Sequence, residues 1–207
     1  MRKQFKSYSE ISRSLNVPKS TLSGWFKDDK LSSEIKTKLT EVARIKSTKQ
    51  ITMMSRARSM YWQKQREIAR TEARDHFKSL AKQPLFIAST MLYWAEGDSK
   101  LKNPIRLTNT DPRMIRLYIK YLTQILNVSK EKIRVELILY PDLNEEQCLM
   151  FWSKVTQLPK SQFYKTQFIK GRHPTHRLSQ GICMIILSSR LLKEKFLVWI
   201  DLLSQKL

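Results

Sequence analysis

Two acidic side chains flank a single glycine in the stretch LYWAEGDSK, which runs from Leu92 to Lys100. Glu96 and Asp98 follow an apolar run, in a chain that has 39 lysines and arginines against 18 aspartates and glutamates. A carboxylate in the last turn of a helix faces the negative end of the helix dipole, which costs roughly 0.3 to 1 kcal/mol when no cation compensates. Carboxylate oxygens are also the ligands that a hard divalent cation such as Mg²⁺ prefers. The two acids are therefore the first candidates for chemistry.

Basic residues alternate with aromatic ones in a second stretch, 162–177. This composition is typical of a strand that grips a nucleic-acid backbone. The basic candidates are Lys165, Lys170, Arg172 and Arg177. His173 and His176 lie three residues apart, but Pro174 disfavours a helix that would present both to a zinc ion. We expect a phosphate-contacting loop there.

The charge of the whole chain points to a polyanionic partner. Its 207 residues carry a formal charge of +21, and the pI is about 10.1. Nucleic acid is favoured over an anionic membrane surface. The longest apolar run, Ile182 to Leu187, and shorter runs such as Leu85 to Ala88 are far below the roughly 20 residues that span a bilayer.

The N-terminus has no apolar block behind its positive charges, so we see no export signal. The spacing of Cys148 and Cys183 does not suggest a disulfide framework. We therefore expect a cytoplasmic protein with reduced thiols and no membrane partner. No glycine-rich phosphate loop or Gly-x-Ser-x-Gly nucleophile motif is present.

Glycine and proline divide the chain into three predicted parts, residues 1–30, 31–83 and 84–207. No glycine occurs between Gly24 and Gly97, and no proline between Pro18 and Pro84, so the middle part lacks the residues that usually end helices. Residues 33–82 contain 13 lysines and arginines and 5 acids. Two apolar stripes with a break at 46–52 indicate two helices or one helix with a phase slippage. This basic helical linker is either solvated, or runs along phosphates, or pairs with a second subunit.

The segment from Tyr8 to Asp28 predicts a helix, a three-residue turn and a second helix. Tyr8, Ile11 and Leu15 fall on one helical face, and Asn16 suits the left-handed turn position. Pro18 suits the first turn of the second helix, on which Leu22 and Phe26 face inward. The side chains left to face outward are Lys19, Ser20, Thr21, Ser23 and Lys27. The alternative is an ordinary helical hairpin with a solvated face.

This segment resembles the helix-turn-helix of resolvases and repressors, whose second helix enters the DNA major groove. Short polar and basic side chains on that helix suit contacts with base edges and phosphates. The resemblance therefore implies that double-stranded DNA is the partner. Ser12 and Asn16 stand where alanine and glycine are common in such units.

The C-terminal part predicts an α+β domain. A buried helix at 85–96 ends at Gly97, a strand follows at 105–108, and Asp111-Pro112 starts a helix that runs to 126. Alternation predicts a strand at 132–140, and Asp142 with Glu145 predicts the start of a helix to about 157. The last elements are a strand pair, at 162–169 and 181–187, and a helix at 190–203. We expect Tyr93 and Trp94 to pack in the core.

The run STMLYWAEG from Ser89 to Gly97, with the order of elements after it, resembles the LAGLIDADG homing endonuclease fold. Leu92, Ala95 and Gly97 match the motif, and Glu96 stands at its acidic position. The resemblance implies an αββαββα domain that forms a homodimer through the 85–97 helix. It also implies that Glu96 binds Mg²⁺ beside the scissile phosphate. Asp98 either assists through water or is a solvated loop acid, and we favour the loop acid. A basic residue near the scissile bond is implied as well, and the candidates for it are Lys165, which we place first, Lys170 and Arg177.

Two classes of function follow from these observations. The first is a sequence-specific, Mg²⁺-dependent, homodimeric DNA endonuclease, which the retention of Glu96 and Gly97 favours. The second is a catalytically inactive DNA-binding transcription regulator of the same fold, which Thr90, Met91 and Trp94 favour because they depart from the motif. A structural RNA-binding protein would fit the charge, but it would leave the helix-turn-helix unexplained.

Overall fold

The computed structural model describes residues 1–169 and 178–206. The chain forms two compact units, Met1–Gln63 and Lys64–Leu207. The boundary lies within one long helix, so the two halves of the predicted linker belong to different units.

The first unit begins with a helix-turn-helix. Helix α1 spans Tyr8–Leu15 and helix α2 spans Lys19–Trp25. Ser7 and Glu10 form a reciprocal cap at the start of α1, because the Ser7 N–H donates to Glu10 Oε2 at 2.7 Å and the Glu10 N–H donates to Ser7 Oγ. Asn16 ends α1 in the left-handed conformation, with φ 52°, which confirms the predicted turn. The unit's core holds Ile11, Leu22 and Ile35, whereas Leu15 is 54% exposed.

Helix α3 spans Lys30–Leu80 without interruption. The predicted alternative of two separate helices is therefore wrong. Without glycine or proline in this part, the backbone hydrogen bonds of the helix continue through the point where one apolar stripe gives way to the other. Every residue from 41 to 64 is exposed. Further along, Ala69 and Ala73 are buried, and Trp199 Nε1 donates to the Ala73 carbonyl at 3.0 Å. The end of α3 is thus a packed element of the second unit.

The second unit continues with alternating helices and strands. Asp111 caps α5 through its carboxylate, as predicted, and a short π-helical turn at Tyr121–Ile125 extends that helix. The cap of α6 is Asn144 rather than Asp142, because Asn144 Oδ1 accepts from the Gln147 N–H at 3.0 Å. The elements are α4 (Pro84–Glu96), β1 (Ile105–Asn109), α5 (Pro112–Lys120), β2 (Ile133–Leu139), α6 (Glu145–Thr156), β3 (Gln167–Phe168), β4 (Ile182–Leu187) and α7 (Arg190–Ser204).

The four described strands form one sheet in the order β1-β4-β2-β3. Strand β4 lies antiparallel between β1 and β2, while β3 runs parallel to β2 at the edge. Strands are present within both predicted ranges, but their predicted pairing with each other is wrong, because the apolar β4 takes β1 and β2 as its two neighbours. The order αββαββα is not reproduced either, since α5 stands between the first two strands.

Six aromatic side chains fill the core of the second unit. Tyr93 and Phe196 are in edge contact with ring centroids 4.7 Å apart, and Phe86 contacts Trp199 at 5.3 Å. Tyr118 and Tyr121 complete the cluster. The predicted burial of Tyr93 is confirmed, whereas Trp94 is 49% exposed and the prediction for it is wrong. The helical period explains this, because the residue after a buried one points about 100° away.

Cys148 and Cys183 are both buried and unpaired, in agreement with the absence of a disulfide framework. Within the described residues, no helix combines the length and the apolar character needed to cross a bilayer.

Candidate nucleic-acid interface

Helix α2 presents a polar surface opposite its buried side. Leu22 is buried, and Phe26 is half-buried and stacks on Tyr8 with ring centroids 6.0 Å apart. Of the predicted contact residues, Thr21 is half-buried, and the others are exposed: Lys19, Ser20, Ser23 and Lys27. The helix-turn-helix thus has an inner face that packs and an outer face that is free to reach a groove.

Arg2 braces the helix-turn-helix against the start of α3. Its Nε donates to Ser32 Oγ and its Nη2 to the Ser32 carbonyl, both at 2.9 Å. The guanidinium also lies 4.5 Å from the centre of the Tyr8 ring. Arg2 is nearly buried, so it is a structural cation and not a phosphate ligand. Sequence reasoning missed it, because one arginine near a basic N-terminus carries no pattern.

Glu96 is the last residue of α4, and its side chain is exposed. Among the described residues it has no hydrogen-bond or salt-bridge partner. It is the only charged residue in the 13-residue helix. Its carboxylate therefore remains available to a ligand.

Asp98, by contrast, is held within its own loop. Its Oδ1 accepts from the Lys100 N–H at 2.8 Å, and its Oδ2 accepts from Asn103 Nδ2 at 2.6 Å. Burial acts to raise the pKa of Asp98, but the hydrogen bonds from Asn103 and Lys100 outweigh it and lower the pKa. Both oxygens are engaged, so Asp98 acts as the anchor of the loop between α4 and β1.

Lys193 of α7 joins this loop to the core. Its side chain is fully buried, and its Nζ donates to the Tyr93 hydroxyl at 2.8 Å and also to the Asp98 carbonyl. The Tyr93 hydroxyl in turn donates to the same Asp98 carbonyl at 2.7 Å. Burial lowers the pKa of Lys193, and the Asp98 carboxylate, 3.9 Å away, opposes that shift. Burial likewise raises the pKa of Tyr93.

Gly97, which lies between Glu96 and Asp98, packs closely against Tyr93 and leaves no room for a side chain. Its φ of −91° is not left-handed, so conformational freedom is not the reason for glycine here. A Cβ at this position would lie 2.3 Å from the Tyr93 carbonyl oxygen and 2.6 Å from the Tyr93 ring. Gly97 also bridges to Leu107 of β1, so the chain enters the sheet directly after α4.

The outward side of α4 has small and apolar residues. Ala88 and Ala95 are exposed and seven residues apart, with half-buried Leu92 between them. Residues at this spacing form one stripe along a helix. This stripe leads to Glu96 at the helix end.

One side of the sheet carries two arginines that sequence reasoning missed. Arg106 and Arg134 lie in register on either side of Ile186 of the central strand, and both are half-buried. Arg106 Nε is buried and has no partner among the described residues. The alternation of β2 could have revealed Arg134, because the residues beside it, Ile133 and Val135, are both buried.

Lys165 is exposed, beside the point where Phe163 pairs with Val135 of β2. No described contact joins it to Glu96. Lys170, Arg172 and Arg177 lie outside the described residues, as do His173 and His176. In the described ranges, 1–169 and 178–206, no group of three or more His, Cys, Asp and Glu side chains is placed to hold a metal ion.

Comparison of the chain with protein-family models, with curated proteins and with solved structures finds no match. The resemblance to LAGLIDADG endonucleases thus stays a prediction from the residues.

Proposed function

We propose that the protein binds double-stranded DNA in a sequence-specific manner through α2. The observation that carries this proposal is the exposed polar surface of α2 on a capped helix-turn-helix whose inner side is packed. The net charge of +21 supports it, because counterion release from DNA phosphates supplies affinity to such a chain. Arg106 and Arg134 offer a second cationic surface on the sheet of the other unit.

We propose further that the protein acts as a homodimer through α4 and hydrolyses DNA with Mg²⁺. The stripe formed by the exposed Ala88 and Ala95 with the half-buried Leu92 supports close approach of two copies of this helix. Two copies would bring two Glu96 carboxylates together, and these unengaged oxygens fit a hard divalent cation that completes its shell with water and phosphate. When bound, Mg²⁺ supplies Lewis-acid polarisation of a phosphoryl oxygen. Asp98 holds the loop that follows Glu96, and the exposed ammonium of Lys165 is the candidate for a phosphate contact.

A specific observation also favours the second candidate function, a DNA-binding regulator without cleavage activity. With Asp98 engaged in its loop, Glu96 is the only acid of the predicted pair that is free to bind a cation. A regulator needs α2 and the dimer, and it leaves Glu96 without a catalytic role.

The test incubates the protein with supercoiled DNA that carries its own genomic flanks, in Mg²⁺ or in Ca²⁺. The variants are Glu96→Gln and, as a matched control, Glu34→Gln, whose site is exposed and carries no described side-chain contact. The nuclease requires cutting in Mg²⁺ by the wild type and the control but not by Glu96→Gln. Binding without cutting by all three identifies the regulator, and absence of binding refutes both.

Dimer formation is tested separately by sedimentation. Ala88→Glu places a charge on the exposed stripe of α4 and should convert dimers to monomers, whereas Ala57→Glu, on the exposed part of α3, should not. A wild type that sediments as a monomer at all concentrations would refute the dimer.

A further inference from the structure

A pocket lined by four cationic side chains lies in the second unit, and neither α2 nor Glu96 contributes to it. It has a volume of about 420 Å³ and is formed by α3, α7 and the loop between α4 and β1. The lining residues are Arg66, Arg70, Leu101, Lys102, Arg190 and Glu194. Four cations thus face one carboxylate.

Glu194 organises two of the arginines. It is 4% exposed and accepts from both Nε and Nη2 of Arg70, at 2.9 and 2.8 Å. Arg66 Nε lies 3.7 Å from its other oxygen. A buried carboxylate that fixes guanidinium groups reduces the conformational entropy they lose when they bind a ligand. The arginines keep further N–H donors that Glu194 does not use, because each guanidinium has five.

Lys102 and Arg190 add charge that nothing in the pocket neutralises. Both are exposed, and neither has an acidic partner among the described residues. Arg190 is also the first residue of α7, a helix of 15 residues, so the positive end of the helix dipole adds to the field of the side chains. Glu67 Oε2 also lies 3.7 Å from Arg70 Nη1, so two carboxylates stand against four cations. The remaining excess of positive charge favours an anion.

We propose that this pocket binds a phosphate group, and that the group is a backbone phosphate of bound nucleic acid. Planar guanidinium groups match the geometry of phosphate oxygens, and a lysine beside them adds a mobile point charge. The origin of the phosphate in DNA rests on the function proposed above, whereas the affinity of the pocket for phosphate does not. If the bound group does not come from DNA, its source is free inorganic phosphate.

The test neutralises the two unpaired cations in the variant Lys102→Gln/Arg190→Gln, which leaves the Glu194 pairs intact. The matched control is Lys82→Gln/Lys154→Gln, which makes the same charge change at exposed positions of the same unit outside the pocket. The first measurement is affinity for a DNA duplex by fluorescence anisotropy at several salt concentrations. The second is calorimetric titration with inorganic phosphate at constant ionic strength, which requires no DNA.

We expect the pocket variant to bind DNA about 10-fold more weakly than the control. The slope of log K against log salt should be smaller by about 1 for each DNA phosphate that the variant no longer neutralises. Phosphate titration should give heat with the wild type and the control but not with the pocket variant.

Each remaining outcome decides one part of the proposal. Loss of the phosphate response with unchanged DNA binding keeps the site and assigns it to free phosphate. Equal behaviour of the pocket variant and the control in both measurements overturns the proposal. Failure of the wild type to bind DNA refutes the function proposed above, and the phosphate titration then decides the pocket alone.

Discussion

Replacing Asp98 by alanine should destabilise the protein by about 3 kcal/mol, because its carboxylate anchors the loop that follows α4. The variant loses the hydrogen bonds from the Lys100 N–H and from Asn103 Nδ2, at 2.8 and 2.6 Å. Bonds to a charged acceptor contribute roughly 1.5 to 3 kcal/mol each, and the lower value applies because the carboxylate is partly exposed. The buried Lys193 also loses the carboxylate at 3.9 Å, which adds to the destabilisation.

The assay is urea unfolding followed by circular dichroism, with Glu96→Ala as the matched control. Glu96 has no described partner, so its replacement should change the free energy of unfolding by less than about 0.5 kcal/mol. In a chain of this size, 3 kcal/mol corresponds to roughly 6 to 12 °C in Tm. Equal destabilisation in the two variants would refute the assignment of Asp98 as the anchor and Glu96 as the free acid.

The destabilisation caused by Asp98→Ala depends on pH. The pKa of Asp98 lies below its ordinary value of 3.8 in the folded chain, so its stabilisation is present at neutral pH. The contribution disappears as the pH falls below 3.8 and through the folded pKa. The difference between wild type and Asp98→Ala should therefore shrink in that range, and a constant difference down to low pH would contradict the ionic origin.

Three further predictions concern other positions of the chain. Gly97→Ala should lower the free energy of unfolding by about 1 to 3 kcal/mol, because the new Cβ would meet the Tyr93 carbonyl. Gly24→Ala, where nothing lies within 4 Å of the new Cβ, should raise it by up to about 1 kcal/mol through helix propensity, and thermal unfolding compares the two variants. The wild type should become more stable as the pH rises toward 10.5, the ordinary pKa of lysine, because burial lowers the pKa of Lys193 and it loses its charge more readily in the folded chain. Lys193→Met should abolish this rise, and urea unfolding across that pH range checks it. Lys19→Ala/Lys27→Ala should reduce the salt slope of DNA binding by about 2, if each lysine contacts one phosphate.

Local elements of the fold were predictable because their determinants are short in sequence. Asp111-Pro112 combines a capping carboxylate with a fixed φ, and α5 begins there. The alternation over Ile133–Leu139 predicts a strand with one buried face, and the burial pattern confirms it. The sheet order was not predictable in this way, because the pairing of β4 with β1 and β2 is decided between distant segments.

The roles of the two acids needed tertiary contacts. Their spacing around Gly97 marks both as unusual, yet only the contacts of Asn103 and Lys193 show which acid is held. The pattern of α7 did contain a clue to Lys193, since it lies on one helical stripe with Phe196, Trp199 and Leu203, all buried. A lysine on a buried stripe requires a partner in the interior, and Tyr93 and Asp98 supply it.

Consecutive residues of α7 serve two different neighbours. Lys193 and Glu194 point about 100° apart on the helix, so Lys193 reaches the Asp98 carbonyl while Glu194 reaches Arg70 of α3. The loop between α4 and β1 meets both, because it starts at Asp98 and carries Lys102 into the cationic pocket. One turn of α7 therefore holds both the loop that follows Glu96 and the arginines of the pocket. A substitution that displaces this turn should disturb both, whereas Lys102→Gln/Arg190→Gln removes pocket charge and leaves the anchor of the loop in place.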